Sequence, residues 1–90
     1  MNEKDFTPAV RKLVTRYANA HLDVTDGNRI TPDDVFIVWQ CKTLQNSKAL
    51  ASTTLPDGMY YEITYDGDKD QFYLDAYKKF ENRCIPCDTD

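Results

Sequence analysis

Cys84 and Cys87 stand three residues apart, and with Cys41 and His21 they are the side chains of this sequence best suited to chemistry. A Cys-x-x-Cys pair can close a disulfide, and at a helix N-terminus its first thiol becomes acidic enough to react. Here the pair is followed at once by Asp88 and Asp90, whose charge raises a thiol pKa. The same residues make a Cys₃His zinc set by count. Structural zinc sites usually bring two close pairs together, whereas His21 and Cys41 lie twenty residues apart. His21, Cys41, Cys84 and Cys87 are weak ligand candidates on these grounds. Incidental thiols and a histidine on the apolar face of a helix account for them more simply, and no metal or cofactor is expected.

Asp66, Asp68 and Asp70 alternate like the first ligands of a calcium loop. Gln71 then stands where such a loop needs glycine, and Tyr77 where it needs glutamate, so the three read as turn acids. Acid–base and nucleophilic catalysis lack their parts. There is one histidine, no Gly-x-Ser-x-Gly and no glycine-rich phosphate loop. No enzymatic activity is expected, and no catalytic residue is assigned.

Two surfaces could bind a macromolecule. The span from Asp57 to Asp75 holds Asp57, Glu62, Asp66, Asp68, Asp70 and Asp75 against Lys69 alone. Asp66, Asp68 and Asp70, with Tyr60 and Tyr73 as aromatic anchors, form the expected contact with a protein partner. A simpler role is a charged rim that keeps an edge strand from pairing. The alternative is a nucleic-acid-binding module built on Arg11, Lys12 and Arg16 of one helix and Lys78 and Lys79 near the C-terminus. A net charge of −4 weighs against it.

The elements that must position these residues follow from apolar spacing. Phe6, Val10, Leu13, Val14, Tyr17 and His21 recur with helical period, and Thr7-Pro8 suits an N-cap and first helical position. The spacing predicts an amphipathic helix over 7–22, with Arg11, Lys12, Thr15, Arg16 and Asn19 facing solvent. Asp26-Gly27-Asn28 marks a turn, and Thr31-Pro32-Asp33-Asp34 a single helical turn. The run 35–44 holds the densest apolar stretch and the single tryptophan, Trp39; β-branched and aromatic residues dominate its first half. It is expected as the buried strand on which the rest packs. A turn at 45–47 and a partner strand at 48–54 follow. Pro56-Asp57-Gly58 is a further turn. Met59, Tyr61, Ile63 and Tyr65 alternate with polar residues as a half-buried strand, Asp66-Gly67 opens a hairpin, and a strand runs to about Tyr77 before a short helical or irregular end.

The expected fold is α+β: an N-terminal amphipathic helix on an antiparallel meander of three to four strands, covering Ile37, Trp39, Ile63 and Phe72. Ninety residues make one domain, 1–90, with 84–90 as a flexible C-terminal tail. No membrane segment and no signal peptide are read, and an odd number of cysteines fits reduced thiols in a cytoplasm. A monomer or small homo-oligomer is expected.

The segments Val38-Trp39, Lys42-Thr43-Leu44-Gln45-Asn46, Lys48-Ala49-Leu50, Asp57-Gly58-Met59-Tyr60-Tyr61-Glu62 and Tyr73-Leu74-Asp75-Ala76-Tyr77-Lys78-Lys79-Phe80-Glu81-Asn82 carry a resemblance. From about Phe6 to Ile85 the chain resembles a family of short proteins of unknown function encoded by bacterial tailed phages and prophages. Ser47 departs from that pattern, where tryptophan is expected. The resemblance implies an accessory protein in the cytoplasm of a bacterial host cell, with a host or phage protein as partner. It transfers no catalytic residue or ligand.

Overall fold

The computed structural model describes residues 1–21 and 29–87, apart from the side chain of Glu3. Helix α1 spans Glu3–Ala20, a single 3₁₀ turn spans Pro32–Asp34, and four strands follow: β1 Val35–Thr43, β2 Asn46–Thr53, β3 Met59–Asp66 and β4 Gln71–Lys78. All neighbours are antiparallel, in the order β1-β2-β3-β4. This is the expected α+β class. The turn read at Asp26-Gly27-Asn28 lies outside the described residues.

The helix begins four residues earlier than Thr7-Pro8 suggests. Asn2 caps it, its Oδ1 accepting from the Asp5 amide at 3.0 Å. Thr7 lies inside the helix, and its hydroxyl donates to Gln40 Oε1 of β1 at 3.0 Å. Pro8 sits inside the helix on its exposed side. Phe6, Val10, Val14 and Ala18, one every four residues, are buried in one cluster with Ile30, Val35, Ala49, Ala51, Tyr61, Ile63 and Tyr65. Asn19 was expected to face solvent, but its amide group donates to the Ile30 carbonyl and accepts from the Ile30 amide, both at 2.9 Å. That clamp fixes the returning chain before the 3₁₀ turn. There Asp34 Oδ2 accepts from the Thr31 amide at 2.9 Å, as the Thr-Pro-Asp-Asp run foreshadowed.

The largest departure concerns the tryptophan strand. β1 is an edge strand, and Trp39 is 43% exposed. The cause is a β-bulge. Ile37 pairs with Ala51 and Trp39 with Leu50, so Val38 is an extra residue without an opposite number. One inserted residue reverses the alternation of side chains. Val35 and Ile37 face the helix, whereas Trp39 turns to the other side.

The weakest strand signal belongs to the most enclosed strand. In β2, Ser47, Ala49, Ala51, Ser52 and Thr53 are buried. Alanine has little strand preference, but small side chains at Ala49 and Ala51 let α1 lie close to the sheet centre. Ser47, read as part of a turn, is a buried strand residue opposite Tyr65.

The β1–β2 turn is Leu44-Gln45, one residue ahead of the expected position. Leu44 adopts φ 56° and is 88% exposed. A left-handed conformation costs a non-glycine residue about 1–2 kcal/mol, and this leucine buries nothing in return. Leu44→Gly is therefore expected to stabilise the fold by about 0.5–1 kcal/mol, read as a raised urea midpoint at unchanged slope. A lower midpoint would show that Leu44 makes a contact its exposure does not reveal.

Candidate functional site

Strand alternation sorts the sheet into two faces. The face toward α1 carries Ala49, Ala51, Tyr61 and Ile63, with Phe72 and Leu74 packed at its margin. The opposite face has no element across it among the described residues. Its cross-strand rows follow from the register. Phe36, Ser52, Tyr60 and Tyr77 form one row, and Trp39, Leu50, Glu62 and Asp75 the next. Cys41, Lys48, Thr64 and Tyr73 form a third. Phe36, Trp39, Tyr73 and Tyr77 are all exposed, and Tyr60 is half-buried between its neighbours. An antiparallel sheet with one solvated face usually shows water small polar residues there. This one shows aromatic rings.

The charges on that face are specific. Glu62 and Asp75 are directly opposite on β3 and β4. Like charges so placed repel, and Lys48, with Nζ 3.2 Å from Glu62, relieves part of this.

Of the proposed protein-contact residues, Tyr60 and Tyr73 thus lie on the uncovered face. The acids of the hairpin are more occupied. Asp66 Oδ1 accepts from the Asp68 and Lys69 amides at 3.1 and 3.3 Å, closing the turn. Asp70, at φ 51°, accepts from the Tyr65 hydroxyl at 2.6 Å. Asp68 is exposed. The sequence gives Trp39 no mark as a surface residue, because the bulge at Val38 that turns it outward has no residue signature here.

The bond to Asp70, together with burial, raises the Tyr65 pKa above its ordinary 10.0. Burial, with the charge of Asp57, does the same for Tyr61. A phenol that holds its proton more tightly in the folded chain contributes stability that is intact below the unfolded pKa and lost as pH rises through the folded one. Urea midpoints are expected to fall as pH rises past 10.0, and less so in Tyr65→Phe. An identical fall in that variant would remove Tyr65 from the account.

The basic residues do not form one surface. Lys12 and Arg16 are exposed on α1 and Arg11 is half-buried, while Lys78 and Lys79 close β4 at the far edge from β1, next to which the helix lies. The metal-ligand candidates are also apart. His21, expected on the apolar stripe, is an exposed C-cap stacked on Tyr17 with ring centroids 4.0 Å apart, and its Nδ1 lies 2.8 Å from the Tyr17 carbonyl. Cys41, Cys84 and Cys87 are exposed free thiols. Among the described residues no three His, Cys, Asp or Glu side chains come together as a metal site. Two shallow clefts of about 190 and 220 Å³ flank Cys41. Both fall below the size of ordinary small-molecule pockets, about 300–1,000 Å³. No helix among the described residues is long and apolar enough to cross a membrane.

Among curated proteins and among solved structures, nothing matches this chain. A family model does match, over residues 7–87, from the second turn of α1 through all four strands to Cys87. The matched span includes both faces of the sheet, and on that footing the chain belongs to DUF6275, a family of unknown function.

Proposed function

We propose that this chain is a non-enzymatic accessory protein of a tailed phage or prophage, that it acts in the host cytoplasm by binding a protein partner, and that the uncovered sheet face is its contact surface. One observation carries the reading: Phe36, Trp39, Tyr73 and Tyr77 lie exposed on a single face that no other element covers among the described residues. Exposed aromatic patches mark interaction sites, and tryptophan and tyrosine are the residue types that anchor them. The hairpin acids Asp66, Asp68 and Asp70 form the rim of that surface rather than its centre. The phage setting rests on the sequence resemblance.

Aromatic rings on a sheet can also stack on nucleic-acid bases. Glu62 and Asp75 stand among these rings, however, and repel the phosphates that must lie beside stacked bases. Protein is the better occupant.

The test is affinity capture from host lysate, with and without nuclease treatment, using the wild type, Trp39→Ser and Lys12→Ser. A partner is expected with the wild type and Lys12→Ser, and at least about tenfold less of it with Trp39→Ser. Capture that follows Lys12 or vanishes with nuclease would transfer the reading to nucleic acid and the basic residues.

A further inference from the structure

We infer that the uncovered face binds the C-terminal arm of a second copy of this chain, so that two copies exchange arms about a two-fold axis. This deepens the proposed function and rests on it, since it names the partner of the same face. Residues 79–87 follow β4 without helix or strand. Their large apolar side chains are exposed: Phe80 is 99% exposed and Ile85 70%. An extended segment that displays a phenylalanine completely is unusual in a chain that has a core to offer it. The radius of gyration, 15.2 Å, exceeds the roughly 12 Å of a compact chain this long.

Charge complementarity names the occupant. Phe80 is preceded by Lys78 and Lys79, and Arg83 follows; Glu81 is the one acid from 78 to 87, and the next acids are Asp88 and Asp90 beyond it. The face supplies the opposite charge beside its rings. The aromatic row of Phe36, Tyr60 and Tyr77 lies next to the row holding Glu62 and Asp75, an opposed carboxylate pair served by Lys48. A phenylalanine beside cations fits a row of rings beside acids. Phe80 would fill the aromatic row and Lys79 would neutralise Asp75, while Arg83 pairs with Glu81 at 3.6 Å within the arm.

Geometry favours reciprocity. The arm departs where the Lys79 amide donates to the Gly58 carbonyl at 2.8 Å, next to the Met59–Lys78 pair and two residues from the Tyr60–Tyr77 pair. Donor arm and acceptor row therefore lie at the same end of the sheet. A two-fold axis through that end sets each arm against the other copy's row, which is what an isologous contact requires. Nine extended residues reach about 30 Å, while four strands span about 14 Å, so the arm is long enough to cross the face.

The experiment is light scattering of the full chain in reducing buffer across a dilution series, with Trp39 emission read in parallel. Reductant removes disulfide dimers through Cys41, Cys84 or Cys87 from consideration. A dimer is expected, with Trp39 emission moving to the red on dissociation. Phe80→Asp should weaken it at least about thirtyfold while leaving the circular dichroism unchanged, because Phe80 supports nothing in its own chain. Mixing Phe80→Asp with Trp39→Ser should restore association beyond that of either alone, since the mixed pair retains one intact arm on one intact face. A monomer at every concentration, or a dimer indifferent to Phe80→Asp, would overturn arm exchange. A monomer that still captures another protein through Trp39 would overturn it too, and would leave the proposed function standing.

Discussion

Gly67→Ala is expected to destabilise the fold by about 2–4 kcal/mol. The glycine is not needed for its backbone angles, since its φ is not positive, unlike that of Gly58 at 69°. It is needed for contact. A Cβ at residue 67 would overlap the carbonyl oxygen of Gln45, and it would lie 3.0 Å from the Gln45 Cβ. Gln45 belongs to the β1–β2 turn and Gly67 to the β3–β4 turn, so these two hairpin ends pack backbone against backbone. The Gly67 amide also donates to Asn46 Oδ1 at 3.2 Å. A methyl group would drive the turns apart and break that bond, and a backbone oxygen cannot rotate aside as a flexible side chain can. Gly58→Ala meets nothing closer than the Lys79 Cβ at 4.0 Å and suffers only its left-handed backbone, about 1–2 kcal/mol. Urea unfolding of the two variants should rank Gly67→Ala well below Gly58→Ala. The reverse order would mean that the two hairpin ends do not pack as described.

Ile63→Ala should cost about 2–5 kcal/mol, and Trp39→Ser less than about 1 kcal/mol. The comparison reverses what residue size alone suggests. Ile63 is wholly buried in the centre of β3, between Ala49 and Leu74, in the cluster that takes Val10 and Val14 of the helix. Removing its branched end leaves a cavity that a two-layer domain has little means to fill. Trp39 is the larger residue but is 43% exposed, on the face that no element covers among the described residues. Thermal and urea unfolding of both variants would check this. Trp39→Ser unfolding as readily as Ile63→Ala would place Trp39 in the core and remove the premise of the binding surface.

Period and turn chemistry made much of the fold legible. The spacing of Phe6, Val10 and Val14 pointed to the helix face, and the alternation of Tyr61, Ile63 and Tyr65 to the buried side of β3. The turn residues after Asp66 point to a returning strand up to about Tyr77, and β4, Gln71–Lys78, is that strand. Those signals are local. Alternation carried unbroken through Val38 would put Trp39 in the core, and a single bulged residue reverses it. β2 looked weak because its alanines were judged for strand preference, when closeness to the helix is what selects them. Asn2 was passed over as a cap because Thr7-Pro8 supplies the better-known signal, yet Thr7 bonds to β1. The candidate site was legible in part. Tyr60 and Tyr73 were placed on a contact surface from the sequence, whereas Phe36, Trp39 and Tyr77 needed the register to join them.

Hydroxyl-radical footprinting of the captured complex, set against the isolated protein diluted until it is monomeric, tests the binding face most directly. Oxidation would be read by mass spectrometry at Trp39, Tyr73 and Tyr77, with half-buried Tyr17 on the helix side as the internal reference. Strong protection of Trp39 and both tyrosines in the complex, with Tyr17 unchanged, is the predicted result. Equal oxidation of Trp39 in the bound and the free protein would contradict it, because a partner that leaves the tryptophan open to solvent is bound somewhere else.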